Sequence, residues 1–326
     1  MSKALIHHDG ALGDVILSAP VFKIIRATYP DDLIQFIGRP QAIGFLKLAA
    51  MVDETFSSDS HIFADLYAET LTLNPLLTDL LASCGKAYVF TANPESILVE
   101  QLKKRIPNTA IILTKPSRNQ RVHVTTFQLN QLPSSYVAVP HLKDIFRKPE
   151  PIINNDWGKG KTTVVVHPGS GGRKKCWHPI KYLNLMKQVR RRFDVFFAVL
   201  SGPAEETFIR AFEQSCSDLG LTEFIRFFHN QPLGHISSIL RDCAIYIGND
   251  SGVTHFASLF APHIIAIFGP TDPCQWAPQG DHVRVIESFF PCSPCSETLY
   301  RNCRTWRCID SIPIGKALDE FMRLLT

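Results

Sequence analysis

Long apolar runs are missing from this 326-residue sequence, and no stretch reaches the length needed to cross a bilayer. Residues 3–7 are apolar but lead straight into His8, Asp9 and Gly10. The amino terminus therefore lacks the charged, apolar and small-residue order of a secretory signal. A large excess of charge is missing too. Lys and Arg number 34 against 30 Asp and Glu, a net of +4, which is too little to indicate nucleic acid and is compatible with an anionic substrate. There is no repeat of solenoid period and no low-complexity tract. With 45% apolar and 20% charged residues, the expectation is a soluble, cytoplasmic globular protein with room for about two domains.

Several cofactor signatures are also lacking. Gly10-x-x-Gly13 is short of the full dinucleotide fingerprint, and no acidic residue ends the next expected strand at 33–37, so a bound NAD is poorly supported. Lys174 and Lys175 do not stand in Walker order, and no Asp-x-Asp pair accompanies a sugar-nucleotide site. Nine cysteines are present, five of them scattered and four grouped as Cys292-x2-Cys295-x7-Cys303-x4-Cys308. That group can be read as a zinc or iron–sulfur site or as disulfides, but its spacing fits none of the common ligand patterns well. Reduced thiols, no metal and no cofactor are the expectation.

What is present is an alternation of apolar strands, glycine turns and helices. Strands are expected at 3–7, 33–37, 52–56, 87–90 and 110–113, with helices at 15–29, 40–50, 75–83, 94–105 and 125–132. A second series begins with the β-branched run 162–166 and continues with strands at 195–200, 244–248 and 263–268. Its helices are expected at 180–192, 233–241 and 253–260. Such alternation implies an α/β protein with parallel sheets and right-handed crossovers. Prolines recur and periodicity fades from 133 to 161, which places an interdomain linker near 142–160. The domains expected are 1–150 and 151–312, followed by an amphipathic helix at 313–326 packed back on the fold. In that helix Ile314, Ala317, Leu318, Phe321, Met322 and Leu325 share one face.

In parallel sheets, ligands bind beyond the carboxyl ends of the strands, and four turns there carry chemistry. Asp14 follows Gly13 at a helix start, where it is either a cap or a carboxylate facing a ligand. Residues 167–177 hold three glycines, Ser170, Arg173, Lys174 and Lys175, a plausible phosphate cradle. Glu205 and Glu206 lie in a first helical turn, where acids suit the dipole and where either can bind ribose hydroxyls. Asn249-Asp250-Ser251-Gly252 opens the helix at 253–260; Asp250 or Ser251 either caps it or serves a sugar nucleotide. The loop with Thr271 and Asp272 at the end of the next strand favours a site.

Taken together, Ala11-Leu12-Gly13-Asp14, His167-Pro168-Gly169-Ser170 with Lys175-Cys176-Trp177, Gly248 to His255, and Gly269 to Pro273 resemble the heptosyltransferases of lipopolysaccharide core synthesis, glycosyltransferase family 9. Pro291-Cys292-Ser293-Pro294-Cys295 is similar to a segment that many members carry. The resemblance covers nearly the whole chain in order. It implies a GT-B architecture, two Rossmann-like domains facing across a cleft, with acceptor on the amino domain and nucleotide sugar on the carboxy domain. It also implies inverting, metal-independent transfer from ADP-L-glycero-D-manno-heptose to an anionic glycolipid of the core, without nucleic acid. Location is then expected in the cytoplasm, with peripheral contact at the inner membrane face allowed.

Residue by residue, the resemblance implies Asp14 as base, Lys175 on donor phosphate and Asp250 on the heptose. Ser251, Gly252 and Val253 would supply amides to the pyrophosphate. Ser170, Glu205 and His255 are further donor-site candidates, with Thr271 and Asp272 on a donor loop. One base suffices for a single displacement, and a cation with helix amides can stabilise the departing diphosphate.

Overall fold

The computed structural model describes residues 2–70, 72–117, 120–133 and 160–326. The linker expected at 142–160 lies outside these, apart from Gly160. The chain forms two compact units, Met1–Lys148 and Pro149–Thr326.

The first unit runs β1 (Lys3–His8), α1 (Leu12–Thr28), β2 (Leu33–Gly38), α2 (Pro40–Ala49), β3 (Glu54–Ser57), a 3-10 turn His61–Tyr67, α3 (Pro75–Ala82), β4 (Cys84–Thr91), α4 (Ile97–Arg105), β5 (Thr109–Leu113) and α5 (Val124–Leu129). The strands form one parallel sheet in the order β3-β2-β1-β4-β5. β1 is central and five of its six residues are buried, as a strand covered on both faces requires. α1 begins three residues earlier than its apolar pattern suggests, because Asp14 accepts a hydrogen bond from the Ala11 amide (2.9 Å) and so satisfies an orphan donor at the helix start. Proline at the first helical position starts both α2 and α3.

The second unit runs β6 (Thr162–His167), α6 (Pro179–Arg190), β7 (Val195–Ser201), α7 (Ile209–Asp218), β8 (Ile225–His229), α8 (Leu233–Asp242), β9 (Ile245–Asn249), α9 (Gly252–Ala257), β10 (Ile264–Phe268), α10 (Pro273–Trp276) and β11 (Val283–Glu287). Three helices follow: α11 (Glu297–Asn302), α12 (Arg307–Asp310) and α13 (Ile314–Leu325). All strands are parallel, in the order β8-β7-β6-β9-β10-β11. From β6 the chain winds outward through β7 and β8, then returns to the other side for β9, β10 and β11. The order therefore reverses between β6 and β9, and the crevice at that switch point is where such sheets bind ligands.

Six strands and helices of the second unit were not expected from the sequence: α7, β8, α10, β11, α11 and α12. Both strands lie at sheet edges and carry exposed charged residues, Arg226 in one, Arg284 and Glu287 in the other. They lack the unbroken apolar run that marks a strand buried on both faces.

α13 packs along α6. Ala317 and Phe321 are buried, and Ile314, Leu318 and Leu325 are half-buried against the core of the second unit. Met322, on the same expected apolar face, remains 36% exposed.

Candidate active site

In the second unit the sequence-predicted donor residues gather at the carboxyl edge of four neighbouring strands. The loop after β6 supplies Ser170 and Lys175. The turn after β9 supplies Asp250 and Ser251, the loop after β10 supplies Thr271 and Asp272, and the turn after β7 supplies Glu205.

Asp250 is at the centre. Its carboxylate is 2.8 Å from the Lys175 ammonium and accepts a hydrogen bond from the Thr271 hydroxyl (2.6 Å). Its backbone carbonyl accepts from the Ser170 hydroxyl (2.8 Å). Burial pushes the Asp250 carboxyl up, but Lys175 and His255, together with the hydrogen bonds from Lys175 and Thr271, outweigh it and hold the group below the ordinary carboxylate range. Lys174 turns the other way and donates to the Tyr300 and Arg301 carbonyls. Of the two adjacent lysines, only Lys175 joins Asp250.

Ser251 caps α9, its side chain accepting from the Thr254 amide (3.2 Å) while its backbone is extended. Asp250 is thus released from capping. The first-turn amides of α9 include those of Gly252 and Val253, which have no intrahelical acceptor. His255 is buried one turn further on. Asp272 caps α10 by accepting from the Cys274 amide (2.9 Å).

Glu205 is only 3% exposed. It accepts from the Gly202 amide (2.7 Å), and its carboxylate is 3.8 Å from His167. Burial raises its carboxyl, and His167 with the Gly202 amide more than compensates, so the group stays ionised. It also lies directly beneath Gly169. A Cβ there would come within 1.9 Å of Glu205 Oε1, so only glycine allows this close approach. Glu206 is exposed.

One residue that sequence reasoning named only as part of a motif holds the site together. Asn249, fully buried, donates to the Pro168 and Gly169 carbonyls (2.9 and 3.0 Å). It accepts from the Trp177 amide and the Tyr182 hydroxyl, both at 2.9 Å. All four hydrogen-bonding positions of the amide are filled, and the glycine loop is tied to the end of β9. The signal was available as an amide side chain at the end of an apolar strand, next to two glycine-bearing turns.

In the first unit, Asp14 is half-buried at the start of α1. Behind it stands His8, which accepts from the Gly10 amide at Nδ1 (2.9 Å) and faces the Ser18 hydroxyl at Nε2 (3.1 Å); Ser18 donates to the Asp14 carbonyl (2.9 Å). With Nδ1 accepting, Nε2 is assigned as the protonated nitrogen of a neutral ring. Burial, reinforced by His7, lowers the His8 pKa to about 3. A Cβ on Gly10 would meet His8 at 2.4 Å and Asp14 at 2.7 Å, so this turn also depends on glycine.

All nine cysteines are thiols. Cys295 and Cys308 are buried, Cys303 is half-buried and Cys292 is exposed. Among the described residues no group of three or more His, Cys, Asp or Glu is arranged to hold a metal ion. No described helix is long and apolar enough to cross a membrane.

A family model described as glycosyltransferase family 9 (heptosyltransferase) matches residues 123–304. Among curated proteins, lipooligosaccharide heptosyltransferase 2 of Campylobacter jejuni is 21% identical over 334 residues, covering 99% of this chain and 98% of that protein. Among solved structures, the E. coli ADP-heptose LPS heptosyltransferase II superposes with a TM-score of 0.70 at 16% identity, covering 100% of this chain and 98% of that one. The E. coli heptosyltransferase WaaC with ADP-2-deoxy-2-fluoro heptose does so with a TM-score of 0.60 at 13% identity, covering 99% and 100%. At these identities the structural likeness speaks to the fold, which is GT-B with two parallel-sheet α/β units.

Proposed function

This chain belongs to glycosyltransferase family 9, the heptosyltransferases, and on that premise we propose that it transfers heptose from ADP-L-glycero-D-manno-heptose to a lipopolysaccharide core acceptor with inversion. The observation that carries the donor half is the pairing of half-buried Lys175 with buried Asp250 at the switch point, bracketed by Ser170 and Thr271. The second unit binds the nucleotide sugar and the first takes the acceptor. Asp250 accepts sugar hydroxyls, and Lys175 exchanges part of its contact with Asp250 for the diphosphate. The amides of Ser251, Gly252 and Val253 add partial positive charge. Ser170, Glu205 and His255 complete the donor site, and Thr271 and Asp272 form the adjoining wall.

In the chemical step, Asp14 takes the proton of the acceptor hydroxyl as its oxygen bonds to the anomeric carbon. The bond from that carbon to the diphosphate breaks on the opposite face, and ADP leaves with the electron pair. Its growing negative charge is met by Lys175 and the α9 amides, a fixed electrostatic stabilisation that needs no reorganisation. The acceptor being a glycolipid, we place the reaction at the inner face of the cytoplasmic membrane.

The test is calorimetric titration with ADP, GDP and UDP, with and without magnesium. The expected result is a preference for ADP that does not depend on magnesium, weakened in Lys175→Ala by ~1–3 kcal/mol, the scale of a charge-assisted contact. A preference for UDP or GDP would replace the sugar nucleotide. An unchanged affinity in Lys175→Ala would remove that residue from the phosphate site.

A further inference from the structure

The stretch from residue 57 to 74 carries no family motif, yet its Ser58, Asp59 and Tyr67 line a cavity in the first unit that the donor chemistry does not use. The cavity, of ≈ 430 Å³, opens beyond the carboxyl ends of β1, β2 and β3 and is walled by Asp9, Arg39, Gln41, Ser58, Asp59 and Tyr67. It falls within the range of small-ligand pockets and is large enough for one sugar ring with its substituents.

Its groups select for hydroxyls over anions. The charged groups of its lining are Asp9, Asp59 and Arg39, with His7 behind Asp9. Burial pushes the Asp9 carboxyl up, but His7, Tyr67 and Ser58 more than compensate and hold it well below the usual range, so it is a carboxylate. The Tyr67 hydroxyl donates to Asp9, and His7 Nε2 lies 3.1 Å from that hydroxyl and 3.3 Å from the carboxylate. This arrangement fixes both groups at the rim. Tyr67 is 44% exposed and offers its ring. A phosphate or carboxylate placed here would meet the like charges of Asp9 and Asp59. A polyol instead donates a hydroxyl to the exposed Asp59 carboxylate, an acceptor-only group, and lays its C–H face on the aromatic ring.

We propose that this cavity holds an uncharged sugar residue of the acceptor, with the exposed Asp59 accepting its hydroxyl hydrogen bonds, Tyr67, held in place by Asp9 and His7, supporting its ring, and Arg39 donating to its oxygens. The assignment rests on the reading that the first unit takes the acceptor. It makes Asp59 and Tyr67 determinants of acceptor specificity, separate from Asp14 and from the donor residues.

The experiment uses the full chain and two probes, methyl α-D-mannopyranoside as a neutral pyranoside and inorganic phosphate as an anion. Saturation-transfer NMR should detect the mannoside on the wild type. Asp59→Asn and Tyr67→Ala should each weaken that signal, and raise the KM for the glycolipid acceptor about tenfold, the scale of one lost charge-assisted contact. ADP affinity should be unchanged in both. Asp59 is exposed, so Asp59→Asn keeps the test meaningful should Tyr67→Ala fail to fold. A mannoside signal absent from the wild type, or untouched by both variants, overturns the assignment. Phosphate binding that is lost in Arg39→Gln also overturns it, by making the cavity an anion site. Failure of the heptosyltransferase reading would show separately, as absence of ADP binding and turnover in the wild type, while the mannoside measurement still decides the cavity.

Discussion

Asn249 shows how much a single side chain can carry. Its amide satisfies two loop carbonyls, one backbone N–H and one tyrosine hydroxyl, all away from water. Asn249→Ala strands these partners, each at a cost of about 1 kcal/mol or more. A loss of about 3 kcal/mol in urea denaturation is expected, together with weaker ADP binding because the 168–172 loop is released. His8 makes a prediction in pH. The unfolded chain protonates this histidine near its ordinary pKa of 6.5, whereas the folded chain does so only at about 3. Between those values the unfolded state binds more protons, so stability falls as pH falls, by up to about 1.4 kcal/mol per unit. Urea denaturation from pH 7 to 4 should show a shallower decline in His8→Gln than in the wild type. Parallel curves would mean that His8 is already protonated in the folded chain.

At the scale of elements, α13 allows packing to be separated from pattern. Ala317 and Phe321 are buried while Met322, one position on, keeps 36% of its surface exposed. Phe321→Ala should cost about 3–5 kcal/mol, as large-to-small changes in cores do, and Met322→Ala about 0.5 kcal/mol or less. Thermal unfolding of the two variants checks this, and equal losses would mean that the helix docks in another orientation. Periodicity in the sequence showed that this helix has an apolar face, but not which residues of that face are covered. The same limit applies to strands. Central strands such as β6 and β10 were legible as unbroken apolar runs. β8 and β11 were not, because an edge strand in contact with water tolerates Arg226, Arg284 and Glu287, which erase the pattern.

At the scale of the whole molecule, the proposed base and the proposed donor residues belong to different units. Asp14→Ala should therefore abolish most turnover while leaving ADP affinity unchanged, measured by steady-state kinetics and calorimetry on the same protein. Full activity would remove Asp14 as the base. The α/β class, the run of most elements and the positions of the glycine turns were determined by the sequence alone, because buried parallel strands and turn residues leave local marks. Tertiary structure decided which groups meet. Strand order, set by crossovers between residues far apart in the chain, brings Lys175 to Asp250 across 75 positions and Tyr67 to Asp9 across 58. It also turns Lys174 away from Asp250, and it places Glu205 beneath Gly169. Local composition does not encode such distances; they follow from which strands become neighbours in a sheet.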